Sequence, residues 1–186
     1  MDETSKQRVK EVRTPIPAQL GEPEKYDAEY ERNGVSSIFM FSEPLTGKCF
    51  VNVNETRTAV DWAHQIKELV DVRYPTADRI TLVMDNLNTH TGVSLYKAFE
   101  PAEARRIFEK LDIHYTQKHG SWLNMAEIKL SVLSGQCLDR RIPDRETLTR
   151  EVKAWEARQN ASPASVKWRF TTENARVKLK RLYPSI

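Results

Sequence analysis

Two short stretches carry residue types that could do chemistry. In the first, Asp85-Asn86-Leu87-Asn88-Thr89-His90 puts a carboxylate, two amides and an imidazole directly after the apolar run RITLVM. In the second, Asn124, Glu127, Ser131 and Ser134 recur at steps of three and four, one polar stripe of a helix. Leu123, Ala126, Leu130, Leu133 and Cys137 form an apolar stripe rotated from it by about 100°, which places Glu127 at the shoulder of a buried face. Each feature alone has a plain explanation, since strands end in turn residues and helices have solvated flanks. Together they offer two carboxylates on one rim, the oxygen donors that hard divalent cations take. A two-metal site activates a water or hydroxyl and stabilises the leaving oxygen of an in-line displacement. Such a site wants a third carboxylate. The candidates are Glu43 and Glu55 at the ends of a predicted hairpin, and Asp2, if the first strand of the fold lies just before it.

The surrounding pattern predicts the elements that would position these groups. Runs of strand formers at 35–41 and 48–53, linked through Pro44 and Gly47, read as an antiparallel hairpin. A helix is predicted over 58–74, with Thr58 and Asp61 as a capping box and Pro75 as its stop. The run at 79–84 is short and rich in β-branched residues, the pattern of a central strand buried on both faces. A short helix at 92–99, a second opened by Pro101, and a short strand at 113–116 lead into the Glu127 helix. Asp144 caps a helix running to about residue 160, and an amphipathic helix begins at Thr172. Residues 1–34 are polar and broken by Pro15, Pro17, Gly21 and Pro23, so irregular structure is expected through most of them. The order predicts an α/β domain, a mixed sheet flanked by helices, over 1–160, with a basic helical extension over 161–186. Asp85 then stands at the carboxyl end of a strand, where such sheets gather ligands.

With 186 residues, 39% hydrophobic and 30% charged, the chain has the composition of a globular protein with one core. No apolar run approaches the ~18 residues of a membrane span, and the N-terminus has no secretory h-region. Cys49 and Cys137 lack zinc-site spacing and read as reduced, buried thiols of a cytoplasmic protein. Net charge is only +3, but Lys167, Arg169, Arg176, Lys178, Lys180 and Arg181 concentrate near the C-terminus against the single acid Glu173. His64 and His114 read as structural, and Trp122 as a core or rim residue.

The stretches AVDWAHQIKELVDVRYP, ITLVMDNLNTHT and IHYTQKHGSWLNMAEIKLSVLSGQCLDRRI, with the closing helix, resemble bacterial insertion-sequence transposases of the mariner-like branch of the DDE superfamily. The resemblance covers essentially the whole chain and implies a ribonuclease H-like catalytic domain. The family's motifs are an Asp-Glu pair ending the first strand, Asp-Asn-x-x-x-His, and Asn-x-x-Glu. They fall on Asp2, on Asp85 with Asn86 and His90, and on Glu127 with Asn124. The resemblance implies that Asp2, Asp85 and Glu127 hold two Mg²⁺ ions, replaceable by Mn²⁺, for cleavage at transposon ends and strand transfer into target DNA. It further implies phosphate contacts from Lys118, His119, Arg140 and Arg141, an active homodimer, and a cytoplasmic, nucleoid-associated location. Two departures stand out. The family's N-terminal helix-turn-helix region has no counterpart, and most of the first strand is expected to be missing with it, exposing a sheet edge. Gln117 replaces a proline usual before Lys-His-Gly-Ser. A truncated, non-catalytic DNA-binding or assembly module is the alternative, and a ribonuclease H-like nuclease acting on other nucleic-acid structures is a third.

Overall fold

The polar N-terminus forms a strand. The computed structural model describes residues 1–117, 124–165 and 169–180. In it, β1 (Asp2–Glu11) pairs antiparallel with β2 (Tyr30–Ser42), from Asp2 opposite Met40 to Glu11 opposite Tyr30, with an irregularity between Gln7 and Val9. Two expectations fall here. Residues 2–11 are regular, and Asp2 opens a ten-residue strand instead of ending one. The reason lies in the partner: β2 presents a ladder edge, and a polar segment can complete it when only part of one face must be buried. The prolines do break the chain, but in the tip beyond β1, where the bridges Ile16–Lys25 and Gln19–Glu22 surround Gly21. β2 pairs on its other side with β3 (Cys49–Asn54), from Ser42 opposite Cys49, which is the predicted hairpin. Its turn needs Gly47, whose φ is +76° and whose missing Cβ would meet the Ala164 backbone at 2.5 Å.

The four residues Ile38-Phe39-Met40-Phe41 are all buried, because β2 is covered on both faces. Phe39 and Phe41 pack with Trp62, Ile66, Leu82, Met84, Leu95 and Ile107. Ile38 and Met40 pack on the opposite side with Val51, Leu130, Leu133, Leu148, Val152 and Trp155. Each such side chain contributes about 1.5–3 kcal/mol by leaving water.

On the first side lie α1 (Ala59–Glu68), α2 (Gly92–Ala98) and α3 (Pro101–Glu109). α1 has the predicted capping box, Thr58 Oγ1 accepting from the Asp61 N–H and Asp61 accepting from the Thr58 N–H at 2.7 Å. It widens into a π turn, Leu69–Arg73, ahead of Pro75. β4 (Ile80–Met84) and β5 (Leu111–Tyr115) form a separate two-stranded parallel sheet. The expected single mixed sheet is thus two sheets, three antiparallel strands and two parallel ones. They are joined where the Met1 nitrogen donates to Val83 O at 2.7 Å. β4 is correspondingly not buried on both faces, since Leu82 and Met84 are buried while Val83 is 44% exposed.

On the second side, α4 (Met125–Leu133) continues as a π turn, Ser134–Leu138, and α5 (Arg145–Ala161) follows its Asp144 cap. These elements also close the sheet's edges. The Val9 N–H donates to Ile142 O at 2.8 Å, and Lys6 Nζ caps the carbonyls of Leu138 and Arg140. At the far edge, Glu156 accepts from Val51 N–H, and Asn160 exchanges two hydrogen bonds with the Cys49 backbone. An edge covered in this way does not recruit other strands. α6 (Thr172–Leu179) is capped by Thr171. Cys49 and Cys137 are both buried and unbridged, and no described helix is long and apolar enough to cross a membrane.

Candidate active site

Three elements deliver carboxylates to one end of the molecule. Asp2 opens β1 and is 8% exposed. Its Oδ1 accepts from the Glu3 N–H at 2.8 Å, and its Oδ2 accepts from Asn124 Nδ2 at 3.2 Å. Asn124 is the N-cap of α4, with Oδ1 accepting from the Ala126 N–H, and its amide also donates to Met1 O at 2.8 Å. One buried side chain therefore starts the helix and fixes it against β1. Glu127 lies in the first turn of α4, half-buried, near the positive end of the helix dipole. Asp85 follows β4 directly, and the Met1–Val83 hydrogen bond holds β4 beside the start of β1.

The electrostatics show that the three groups share one field. Burial pushes the Asp2 carboxyl up to about 6; the Glu3 N–H opposes this, and the charges of Asp85 and Glu127 reinforce it. Behind Asp85, the fully buried His90 places Nδ1 2.6 Å from Asp85 Oδ1 and Nε2 2.7 Å from Glu3 Oε2, with its ring stacked on Trp62 at 5.9 Å. Burial alone favours the neutral ring, but the hydrogen bond and charge of Glu3 and the charge of Asp85 outweigh it, and the His90 pKa is raised. Asp85 Oδ1 is itself buried, with the His90 imidazole as its partner.

An oxygen-only donor set with excess negative charge fits a hard divalent cation. The fit is of chemistry and not of a closed cage: among the described residues, no three His, Cys, Asp or Glu side chains already converge tightly enough to enclose an ion.

A family model for DDE superfamily endonucleases matches residues 1–149. The chain belongs to that family. No curated protein and no solved structure gave a match. DDE superfamily enzymes generally use divalent metal ions, and their endonuclease domain implies DNA as substrate.

In this DDE endonuclease domain Asn124 contacts Asp2 and His90 contacts Asp85, while Glu127 lies one turn into the helix that Asn124 caps. The other two candidate carboxylates are held elsewhere, Glu43 by the Tyr74 hydroxyl and Glu55 near Arg8 and Arg145. Asn86 is exposed. Arg140 and Arg141 are not part of the cluster. Arg140 pairs with Glu151 at 2.5 Å, while Arg141 pairs with Glu11 at 2.6 Å and lies over Tyr26 and Tyr30. Glu11 ends the strand that Asp2 begins, so Arg141 stands roughly 30 Å from Asp2. Lys118, His119, Trp122, Leu123, Lys167 and Arg181 lie outside the described residues. Sequence reasoning placed Glu3 in the Asp-Glu pair and Trp62 in the apolar stripe of α1, but missed that both are partners of His90. The first depends on β1 meeting the loop after β4 and the second on α1 packing against that loop, and no local pattern encodes either.

Proposed function

We propose that this chain is the catalytic domain of a transposase, a mariner-like insertion-sequence enzyme that cleaves DNA at transposon ends and joins them to target DNA. Asp2, Asp85 and Glu127 would hold two Mg²⁺ ions, with Mn²⁺ as substitute. Bound there, the ions would supply positive charge to the scissile phosphate and acidify the attacking water or 3′-hydroxyl. The chain's own residues prepare the site. Asn124 orients Asp2, His90 orients Asp85 against Glu3, and Glu127 is carried on a helix packed in the core. The observation that carries this reading is geometric: Met1 and Asp2 are tied at once to Asn124 of the Glu127 helix and to the end of the strand that Asp85 follows. Lys118, His119 and the basic extension over 161–186 would meet the DNA backbone, and a homodimer would hold paired ends. Arg140 and Arg141 would reach phosphate only by leaving their present partners.

The test is nicking of supercoiled DNA by the purified chain in Mg²⁺ or Mn²⁺. Glu127→Gln should reduce the rate by about two orders of magnitude or more, and an unchanged rate would remove Glu127 from the site. A second reading, a non-catalytic DNA-binding or assembly module, draws on the absence of a closed three-ligand cage among the described residues. It requires DNA binding with no nicking in either metal.

A further inference from the structure

β1 opens with two acids, and strand alternation sends them to opposite faces. Asp2 pairs opposite Met40, on the side of α4, where the Glu3 N–H and Asn124 Nδ2 hold its two oxygens. Glu3 pairs opposite Phe39, on the side of α1. Its side chain is 2% exposed, and its Oε2 lies 2.7 Å from His90 Nε2. The second acid is thus turned away from Asp2 and directed at an imidazole.

That imidazole is fully buried and is fixed from three elements. Its ring stacks on Trp62 of α1, and Glu3 of β1 holds its far nitrogen. The Tyr115 hydroxyl of β5 donates to His90 O at 2.7 Å, while the His90 backbone N–H donates to Leu87 O at 2.9 Å. A ring held in this way aims Nδ1 at Asp85 Oδ1, 2.6 Å away. Asp85 Oδ1 is buried although the side chain as a whole is 26% exposed, so Oδ2 is the oxygen left for a ligand.

We propose that His90, backed by Glu3, is a positioning residue that sets which ion the site accepts, by keeping Asp85 to one-oxygen binding. The proposal rests on the reading of Asp2, Asp85 and Glu127 as the cation site. Mg²⁺ demands a small, near-ideal octahedron of oxygens, keeps several waters and uses only one or two carboxylates. Ca²⁺ takes a larger and looser shell, in which carboxylates often give both oxygens. For Asp85 to do so, Oδ1 must leave His90, and a buried ring nitrogen then loses its partner with no water to replace it. The locked carboxylate therefore favours Mg²⁺ over Ca²⁺. Outer partners of this kind orient a metal's ligands without touching the metal.

The two amide side chains supply a matched test. Asparagine carries its nitrogen at the δ position and glutamine at the ε position, so His90→Asn keeps the group facing Asp85 and His90→Gln keeps the one facing Glu3. Mn²⁺ bound to the full chain without DNA is followed by electron paramagnetic resonance while Mg²⁺ or Ca²⁺ displaces it. For half displacement from wild type, Ca²⁺ should need a concentration at least about 10-fold above that of Mg²⁺. His90→Asn should keep that ratio, and His90→Gln should lower it by about 10-fold. A ratio near one in wild type would overturn the proposal, and this reading stands even where a substitution unfolds the protein. So would a ratio that the two substitutions move equally or not at all, since loss of packing alone acts on both. Failure of wild type to bind Mn²⁺ saturably would instead remove the underlying reading of the site, and this proposal with it.

Discussion

Asp2→Asn should make the metal-free protein more stable at neutral pH. The Asp2 carboxyl is raised from 3.8 to about 6, chiefly by burial and further by Asp85 and Glu127. Two pKa units correspond to at most ~3 kcal/mol. For an acid raised on folding, this stability is fully present below pH 3.8, is lost as the pH climbs to about 6, and stays lost above it. Asparagine keeps the shape and removes the charge. It loses one acceptor, facing either the Glu3 N–H or Asn124 Nδ2, which costs about 1 kcal/mol. The net gain at pH 7 is about 1–2 kcal/mol, a rise in Tm of roughly 2–8 °C for a chain of this size. Urea unfolding in EDTA at pH 4, 5, 6 and 7 measures it. The variant should show a flatter profile than wild type, with the curves separating above pH 4. Equal destabilisation by Asp2→Asn at every pH would refute the reasoning, since Asp2 would then act as an ordinary hydrogen-bonding residue.

Other perturbations separate the parts of the site. Protonated His90 is favoured by Glu3 and Asp85, so its contribution is complete below about pH 6.5 and lost as pH rises through the raised folded value. Glu3→Gln should flatten that alkaline decline in unfolding titrations run above pH 6.5. Asn124→Ala removes both the α4 cap and the tie to Asp2, and should cost about 1–3 kcal/mol in denaturant unfolding. Phe39→Ala, in the core between β2 and α1, should cost about 3–5 kcal/mol by the same measurement and leave the site's chemistry untouched if the fold survives.

The local part of this architecture was legible in the residues. Thr58 and Asp61 announce α1, the 35–53 hairpin is written in its strand formers, and the Glu127 helix shows its buried stripe in Ala126, Leu130, Leu133 and Cys137. What failed was non-local. β1 is too polar to read as a strand and is ordered by β2. RITLVM reads as a central strand, yet among the described residues its edge toward β1 takes a hydrogen bond from the Met1 nitrogen and pairs with no strand. Asp85 and Glu127 were visible as carboxylates at a strand end and a helix shoulder, but nothing in their spacing shows that Asp2 joins them. The contact of Glu3 with His90 was hidden for the same reason, since it joins two segments far apart in sequence.

The central claim is that Asp2, Asp85 and Glu127 act as one divalent-cation site. Mn²⁺ binding followed by electron paramagnetic resonance tests it most directly, with wild type beside Asp85→Asn and Glu127→Gln. The account predicts saturable binding by wild type, weakened by about 100-fold or more in each variant, with an accompanying rise in wild-type Tm that the variants lack. Mn²⁺ binding of equal strength in all three proteins would contradict it.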